Sequence, residues 1–410
     1  MKNIKCKGPL LLLACFFVAC HSKNKGPVSP GIKFSKGSYG YDADLLRKHK
    51  WQIFELFNGE GARVLLSSDD QGRVMTSSAA ADSGTSFGWL NYNQIDRGLK
   101  RGQFNAIGGE ERFWLGPEGG QYSVFFNEGD SFTIENWHVP DVINSERYDL
   151  VSIDSSQASF STKAELVNYS GTGFSIQISR TIELFDRNQL QKKLGLTIPA
   201  AIKSVAYQSD NTIKNIGYSD WSKKTGLFSI WLLGMMTPTP ETKVMIPFSP
   251  QSNARSLITD NYFGRIPADR LLIKDSVLYL KCDGKSRGKI GISPLIAKPL
   301  AASFDFKRNI LTLVIPEITK SADYVNSKWE LQKQPYKGDV INAYNDGPLK
   351  DGSQLGPFYE IESSSPAVEL KQNEEMIYHQ VTAHLQGDYK SLRTLVQSLL
   401  HIDLNELRQW

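Results

Sequence analysis

The sequence predicts an all-β fold, a single large sandwich of antiparallel sheets with a short helix at each end. Three observations lead there. Short runs of β-branched and aromatic residues recur through most of the chain, glycine-, asparagine- and aspartate-rich turns separate them, and no strand-helix-strand alternation interrupts them.

The chain opens on a processing segment rather than on the fold. Lys2, Lys5 and Lys7 precede the apolar run Leu10 to Val18, and Ala19 stands before Cys20, the pattern of a lipoprotein signal over 1–19. The run is too short to span a bilayer. Acylation of Cys20 by more than one chain would anchor the protein stably, and 20–36, with Gly26, Pro27, Pro30 and Gly31, reads as a polar tether. The expected location is therefore the cell envelope, facing the periplasm, with the N-terminal lipid as the membrane attachment. Cys6 and Cys15 leave with the signal, so Cys282 remains as a free thiol without a disulfide partner.

Loss of the three signal lysines brings the net charge of +4 close to neutral. A near-neutral chain without a basic run lacks the phosphate contacts on which nucleic-acid affinity rests. Zinc-type cysteine and histidine spacing, a phosphate-binding glycine loop and a serine nucleophile elbow are also missing, so no metal or cofactor is expected. Oligomeric state leaves no mark in the sequence.

From residue 37 to 410 the chain reads as one domain. A short helix over Asp42 to His49 precedes strands at Ile53 to Phe57, Ala62 to Ser67 and Arg73 to Ser77, separated by the turns Asn58 to Gly61 and Asp69 to Gly72. Further strands are expected at Ser159 to Val167, Phe174 to Phe185, Ser204 to Asn215, Leu227 to Gly234, Lys243 to Pro247, Val277 to Cys282, Leu300 to Phe306 and Asn309 to Pro316. Asp186 to Leu194 suits a short helix. Leucine or valine at 392, 395, 396, 399 and 400 forms a helical stripe over 388–401, with Asp388 as its cap.

The stretch Gly108 to Phe126 carries the strongest functional signal. Glu110, Glu111, Arg112 and Trp114 put ionisable groups on both sides of a strand, so neither side can be a plain apolar face. Aromatic rings beside a guanidinium and carboxylates match a polyhydroxylated ligand, with ring faces for its C–H surface and paired donors and acceptors for its hydroxyls. Arg112, Glu111, Trp114, Glu118, Gln121 and Trp137 are the binding candidates here, and the turn residues Asn345 and Asp346 add an amide and a carboxylate. A structural ion-pair network at a sheet rim would use the same residue types.

Six stretches together resemble a known superfamily: Gln71 to Ser77, Gly88 to Asn91, Gly108 to Gln121, Asn211 to Asn215, Ile230 to Met235 and Tyr359 to Pro366. They are similar to an uncharacterised family of bacterial lipoproteins with a galactose mutarotase-like (aldose 1-epimerase-like) fold, over about residues 40 to 390. The resemblance implies a β-supersandwich of two large antiparallel sheets whose concave face binds sugar. In aldose 1-epimerases a carboxylate takes the anomeric hydroxyl proton and a histidine protonates the ring oxygen. Here Glu362 and Glu360, two apart and so on one strand face, are the candidate bases, with Tyr359 and Ile361 facing the core. His138, in a loop after Trp137, and His384 are the candidate acids. His379, five residues before His384, would face the other way. The early Asn-Arg motif and the paired catalytic histidines of those epimerases have no match here, and Arg112 is the nearest orienting arginine; it would also suit a uronic acid. Three functions fit: a carbohydrate-active enzyme working by acid-base chemistry, a non-catalytic glycan-binding lipoprotein, and a structural envelope protein whose groove holds another chain.

Overall fold

The computed structural model describes residues 33–98, 102–349 and 351–410. The signal over 1–19, Cys20 and most of the tether lie outside the described residues.

Two large antiparallel sheets dominate. The ten-stranded sheet runs, edge to edge, through Leu271–Lys274, Val277–Lys281, Thr242–Pro247, Ala301–Asp305, Ile310–Pro316, Glu375–Gln386, Lys203–Asn215, Gly173–Leu184, Gln157–Val167 and Asp149–Ile153. The six-stranded sheet runs through Ile258–Thr259, Gly288–Ile292, Ile341–Asn345, Tyr359–Ser364, Ser229–Met236 and Arg112–Gly116. A three-stranded meander of Ile53–Phe57, Arg63–Ser67 and Arg73–Ser78 adjoins the Arg112–Gly116 edge of the six-stranded sheet through a bridge from Val74 to Glu111.

Period-two alternation explains why the sheets stack. In Gly173–Leu184 the buried series is Phe174, Ile176, Ile178, Arg180, Ile182 and Leu184, while the residues between them keep contact with solvent. Inward side chains of both sheets meet in continuous cores, such as Val244, Ile246, Leu278 and Val314 against Ile290, Ile292, Ile341 and Ile361. Cys282 lies in this core, fully buried, and burial pushes its thiol well above the usual range. Arg180 is the exception in its series. A cation there needs a buried partner, and Glu111 supplies it.

The expected helices form, each with an identifiable cap. Ser38, Asp186 and Asp388 cap Tyr39–Lys48, Arg187–Leu194 and Tyr389–Leu400, and Asp186 makes a full capping box with Gln189. Leu392, Leu395, Val396 and Leu400 pack on the outer face of the ten-stranded sheet against Phe304, Leu311, Leu313 and Leu385. A further helix, Leu404–Gln409, continues that cover. It was not expected from the sequence, and neither were the strands Gly288–Ile292 and Ile341–Asn345. Glycine at two of five positions weakens the first as a local strand signal, and asparagines break the second. Both form because they pair with neighbours on each side. Among the described residues no helix is long and apolar enough to cross a membrane.

Candidate functional site

Register across the six-stranded sheet gathers polar residues on its outer face. One row contains Gly291, Asn342, Glu362, Leu233 and Arg112, and the next contains Lys289, Tyr344, Glu360 and Met235. In Tyr359–Ser364 the alternate residues turn inward. The Tyr359 hydroxyl lies 2.8 Å from Ser303 Oγ, and Ser363 Oγ donates to Gln380 Oε1 at 2.6 Å, both on the ten-stranded sheet. Glu360 and Glu362 therefore project the other way, as the spacing predicts.

Two ion pairs link these rows. Arg112 Nη2 donates to Glu360 Oε1 at 2.5 Å, and Lys289 Nζ donates to Glu362 Oε2 at 2.8 Å. The Trp231 indole N–H also donates to Glu362 Oε2, at 2.9 Å. Glu362 Oε1 and Arg112 Nε are buried without a hydrogen-bond partner. Aromatic walls enclose the pairs. The Arg112 guanidinium lies 5.2 Å from the Trp114 ring centroid, Lys289 Nζ lies 4.7 Å from that of Trp231, and the two indoles meet edge to face at 5.5 Å. Trp137 and Trp329 extend this wall, stacked at 6.0 Å.

Loops close over the cluster, leaving Glu362 only 1% exposed and Arg112 3%. Tyr262 donates to Asp339 Oδ2 at 2.6 Å above the sheet. Residue 291 has to be glycine for this, since a Cβ there would sit 2.1 Å from the same Asp339 oxygen. At the mouth, Arg287 lies over the exposed ring of Phe263, 4.0 Å from its centroid.

The other sequence candidates fall elsewhere. Glu111 and Glu110 turn inward, between the sheets. Gly108 and Gly109, both at positive φ, bring this segment against Trp89 O and the Arg73 side chain more closely than any Cβ would permit. Glu111 Oε1 accepts from Arg180 at 2.8 Å and its Oε2 from Gln380 at 3.0 Å. Glu110 Oε1 lies 2.9 Å from His384 Nε2, whose Nδ1 lies 2.9 Å from Thr312 Oγ1. The structure thus separates His384 from Glu360 and Glu362 by the thickness of a sheet, and does not bring them together as acid and base. His379 faces the opposite way, toward Asp210, as expected. His138 sits in the loop at Asn136 O, 3.4 Å away, beside Gln103 and Asn127. Gln121 exchanges two hydrogen bonds with Gln332, both 2.9 Å, and ties two covering loops together. Asn345 fastens the turn at Gly284 and Ser286, and Asp346 accepts from Tyr344 at 2.6 Å.

Lys289, Tyr262 and Asp339 were missed from the sequence. The one available sign was a lysine set between glycine and isoleucine in Gly288–Ile292, a charge inside an otherwise small and apolar run. Among the described residues, no group of three or more histidine, cysteine, aspartate or glutamate side chains is placed to hold a metal ion.

Burial governs the protonation of the cluster. Glu118, on the loop after Arg112–Gly116, is pushed up to about 7 by burial and by Glu362, against the pull of Lys289. Glu360 is also raised by burial, with Arg112 opposing it, and Lys289 is raised because Glu362 and Glu118 outweigh its burial. A carboxyl raised above its unfolded value near 4.5 stabilises the fold fully below that value and loses the contribution as pH climbs through 7. Glu118→Gln should therefore be more stable than the parent at pH 8, by up to about 3 kcal/mol before discounting for its partial exposure, and no more stable at pH 4. Urea unfolding at the two pH values measures this, and an equal effect at both would contradict the assignment.

Residues 37–410 match the model of a protein family described as a family of unknown function (DUF6786). The chain belongs to that family. No curated protein matches it. The chain is similar to solved structures of galactose mutarotase-like type. A structure from Escherichia coli K12 named for aldose 1-epimerase is 10% identical with a TM-score of 0.49, covering 81% of this chain and 98% of its own. The Slr1438 protein from Synechocystis sp. PCC 6803 is 11% identical with a TM-score of 0.49, covering 82% and 96%. A galactose mutarotase-like protein from Lactobacillus casei ATCC 334 is 10% identical with a TM-score of 0.46, covering 82% and 99%.

Proposed function

We propose that this family member is a carbohydrate-active protein whose site is the outer face of the six-stranded sheet, and that it acts on a sugar by acid-base chemistry. The observation that carries the reading is Glu362. One of its oxygens is fixed by Lys289 and Trp231 while the other, buried, has no partner, which is the state of a base waiting for a hydroxyl. Glu118, partly protonated near neutral pH, is the acid. In this scheme Glu362 Oε1 takes the anomeric hydroxyl proton, Glu118 gives a proton to the ring oxygen, and the C1–O5 bond breaks to leave the open-chain aldehyde. Rotation about C1–C2 and the reverse steps yield the other anomer. The loop that carries Tyr262 and Phe263 must open to admit the sugar. The sequence resemblance to galactose mutarotase-like proteins supports the same reading. Catalysed exchange between sugar anomers, and its loss in Glu362→Gln, is the test.

A second reading, a glycan-binding protein without turnover, is favoured by one observation. Among the described residues the histidine contacts lead away from the cluster, to Asp96, Asn136, Asp210, Thr312 and Glu110. We also propose that the protein is held in the cell envelope by lipid at Cys20. Cys20→Ala should move it from the membrane to the soluble fraction, and a processed variant retained on membranes in high salt would contradict this.

A further inference from the structure

Glycine at 291 clears a place near Glu362 on which two polar side chains converge. Asn342 stands between Gly291 and Glu362 in its row, as the register partner of each. A Cβ at 291 would come 2.1 Å from Asp339 Oδ2 and 2.7 Å from Asn342 Nδ2, so the carboxylate and the amide meet over the bare backbone there. Ile290 O accepts from Asn342 Nδ2 at 3.1 Å, which sets the amide with its nitrogen at this place.

The group held there is the Tyr262 hydroxyl. It donates to Asp339 Oδ2 at 2.6 Å and accepts from Asn342 Nδ2 at 3.4 Å. Giving a hydrogen bond to a carboxylate and taking one from an amide at a single atom is hydroxyl chemistry. An ammonium has no lone pair to accept with, and a carbonyl has no hydrogen to donate. Tyr262 arrives on a short flap whose ends are fixed, at Asp260 by Arg255 and at Ile266 by burial in the core. Between those ends Gly264, at positive φ with open space beside it, lets the chain turn back.

Resting on the sugar-site reading above, we propose that the Tyr262 hydroxyl is an internal stand-in for a sugar hydroxyl, and that Asp339 and Asn342 are the pair that selects for that hydroxyl. In the free protein the flap keeps its own hydroxyl in the place. A sugar enters by displacing it, one hydroxyl donating to Asp339 and accepting from Asn342 while Glu362 faces the anomeric hydroxyl. The flap therefore competes with the ligand, and the Tyr262–Asp339 hydrogen bond has to break before the sugar binds.

Calorimetric titration of the full chain with D-glucose, D-galactose and D-mannose, before and after Tyr262→Phe, tests this. Phenylalanine keeps the ring and removes the competing hydroxyl, so at least one hexose should bind the variant about fivefold or more tighter than the parent. Adding Asp339→Asn to that variant, where no phenol remains to be released, should weaken the same hexose about tenfold. Thermal unfolding checks that each variant is folded. Hydrogen exchange of the free proteins, read by mass spectrometry, should be faster over residues 260–266 in Tyr262→Phe than in the parent. Hexose binding that is unchanged or weaker in Tyr262→Phe, or unchanged on adding Asp339→Asn, overturns the stand-in while the sugar site stands, and so does unchanged exchange of the flap. If no hexose binds either the parent or Tyr262→Phe, both fall.

Discussion

Arg180→Ala should lose about 3 to 5 kcal/mol of folding stability, the largest effect expected of any single charge removal in this chain. Both Arg180 and Glu111 are fully buried between the sheets, and each nitrogen of the guanidinium donates a hydrogen bond. Nε donates to Asn211 Oδ1 at 2.8 Å, Nη2 to Glu111 and Nη1 to Gln71 O at 3.4 Å. Removing the cation leaves Glu111 buried with only Gln380 and neighbouring hydroxyls for company. Replacing the pair together, Arg180→Leu with Glu111→Met, should restore most of the loss, because an apolar pair of similar volume needs no desolvation. Chemical unfolding of the single and double variants measures both. A double variant as unstable as Arg180→Ala would mean that packing, and not charge, is what the pair supplies.

Arg112→Ala should behave differently, and the difference separates a site from a strut. Its partner Glu360 already sits high in protonation because of burial, so loss of the guanidinium raises it further and the carboxyl keeps its proton in the folded state to higher pH. Below about pH 6 the neutral carboxyl is tolerated and the stability loss is small. Above pH 7 the folded state must either hold the proton or bury the charge, and the loss grows toward about 3 kcal/mol by pH 9. Urea unfolding at pH 6 and pH 9 checks the slope. An equal loss at both values would assign the effect to the contacts of Arg112 with Trp114 and Phe104.

The contrast between these arginines also marks what the sequence could and could not tell. Strands such as Gly173–Leu184 were legible because alternation shows in a single segment. Glu360 and Glu362 were placed correctly on one face for the same reason, and Asp388 as a helix cap because capping is local. The partners were not legible. Lys289 reaches Glu362 only through the register of Gly288–Ile292 against Ile341–Asn345 and of that strand against Tyr359–Ser364, two pairings that no local pattern encodes. His384 was an attractive acid in the sequence because histidine is scarce. Its position five residues after His379 separates their faces, but which face meets Glu110 rather than Glu362 depends on which side of its sheet the other sheet stacks. Glu110 and Glu111 show the same limit, since two glycines at positive φ turn them inward and leave Arg112 on the far side.

The central claim is that Glu362 acts as a base on a sugar bound at this face. Exchange spectroscopy by NMR, following interconversion of α and β anomers of the hexoses and hexosamines with and without the protein, tests it most directly. The predicted result is acceleration over buffer for at least one of these sugars, reduced about 100-fold or more in Glu362→Gln that remains folded. Buffer-level exchange with every sugar, or acceleration that survives unchanged in Glu362→Gln, would contradict it.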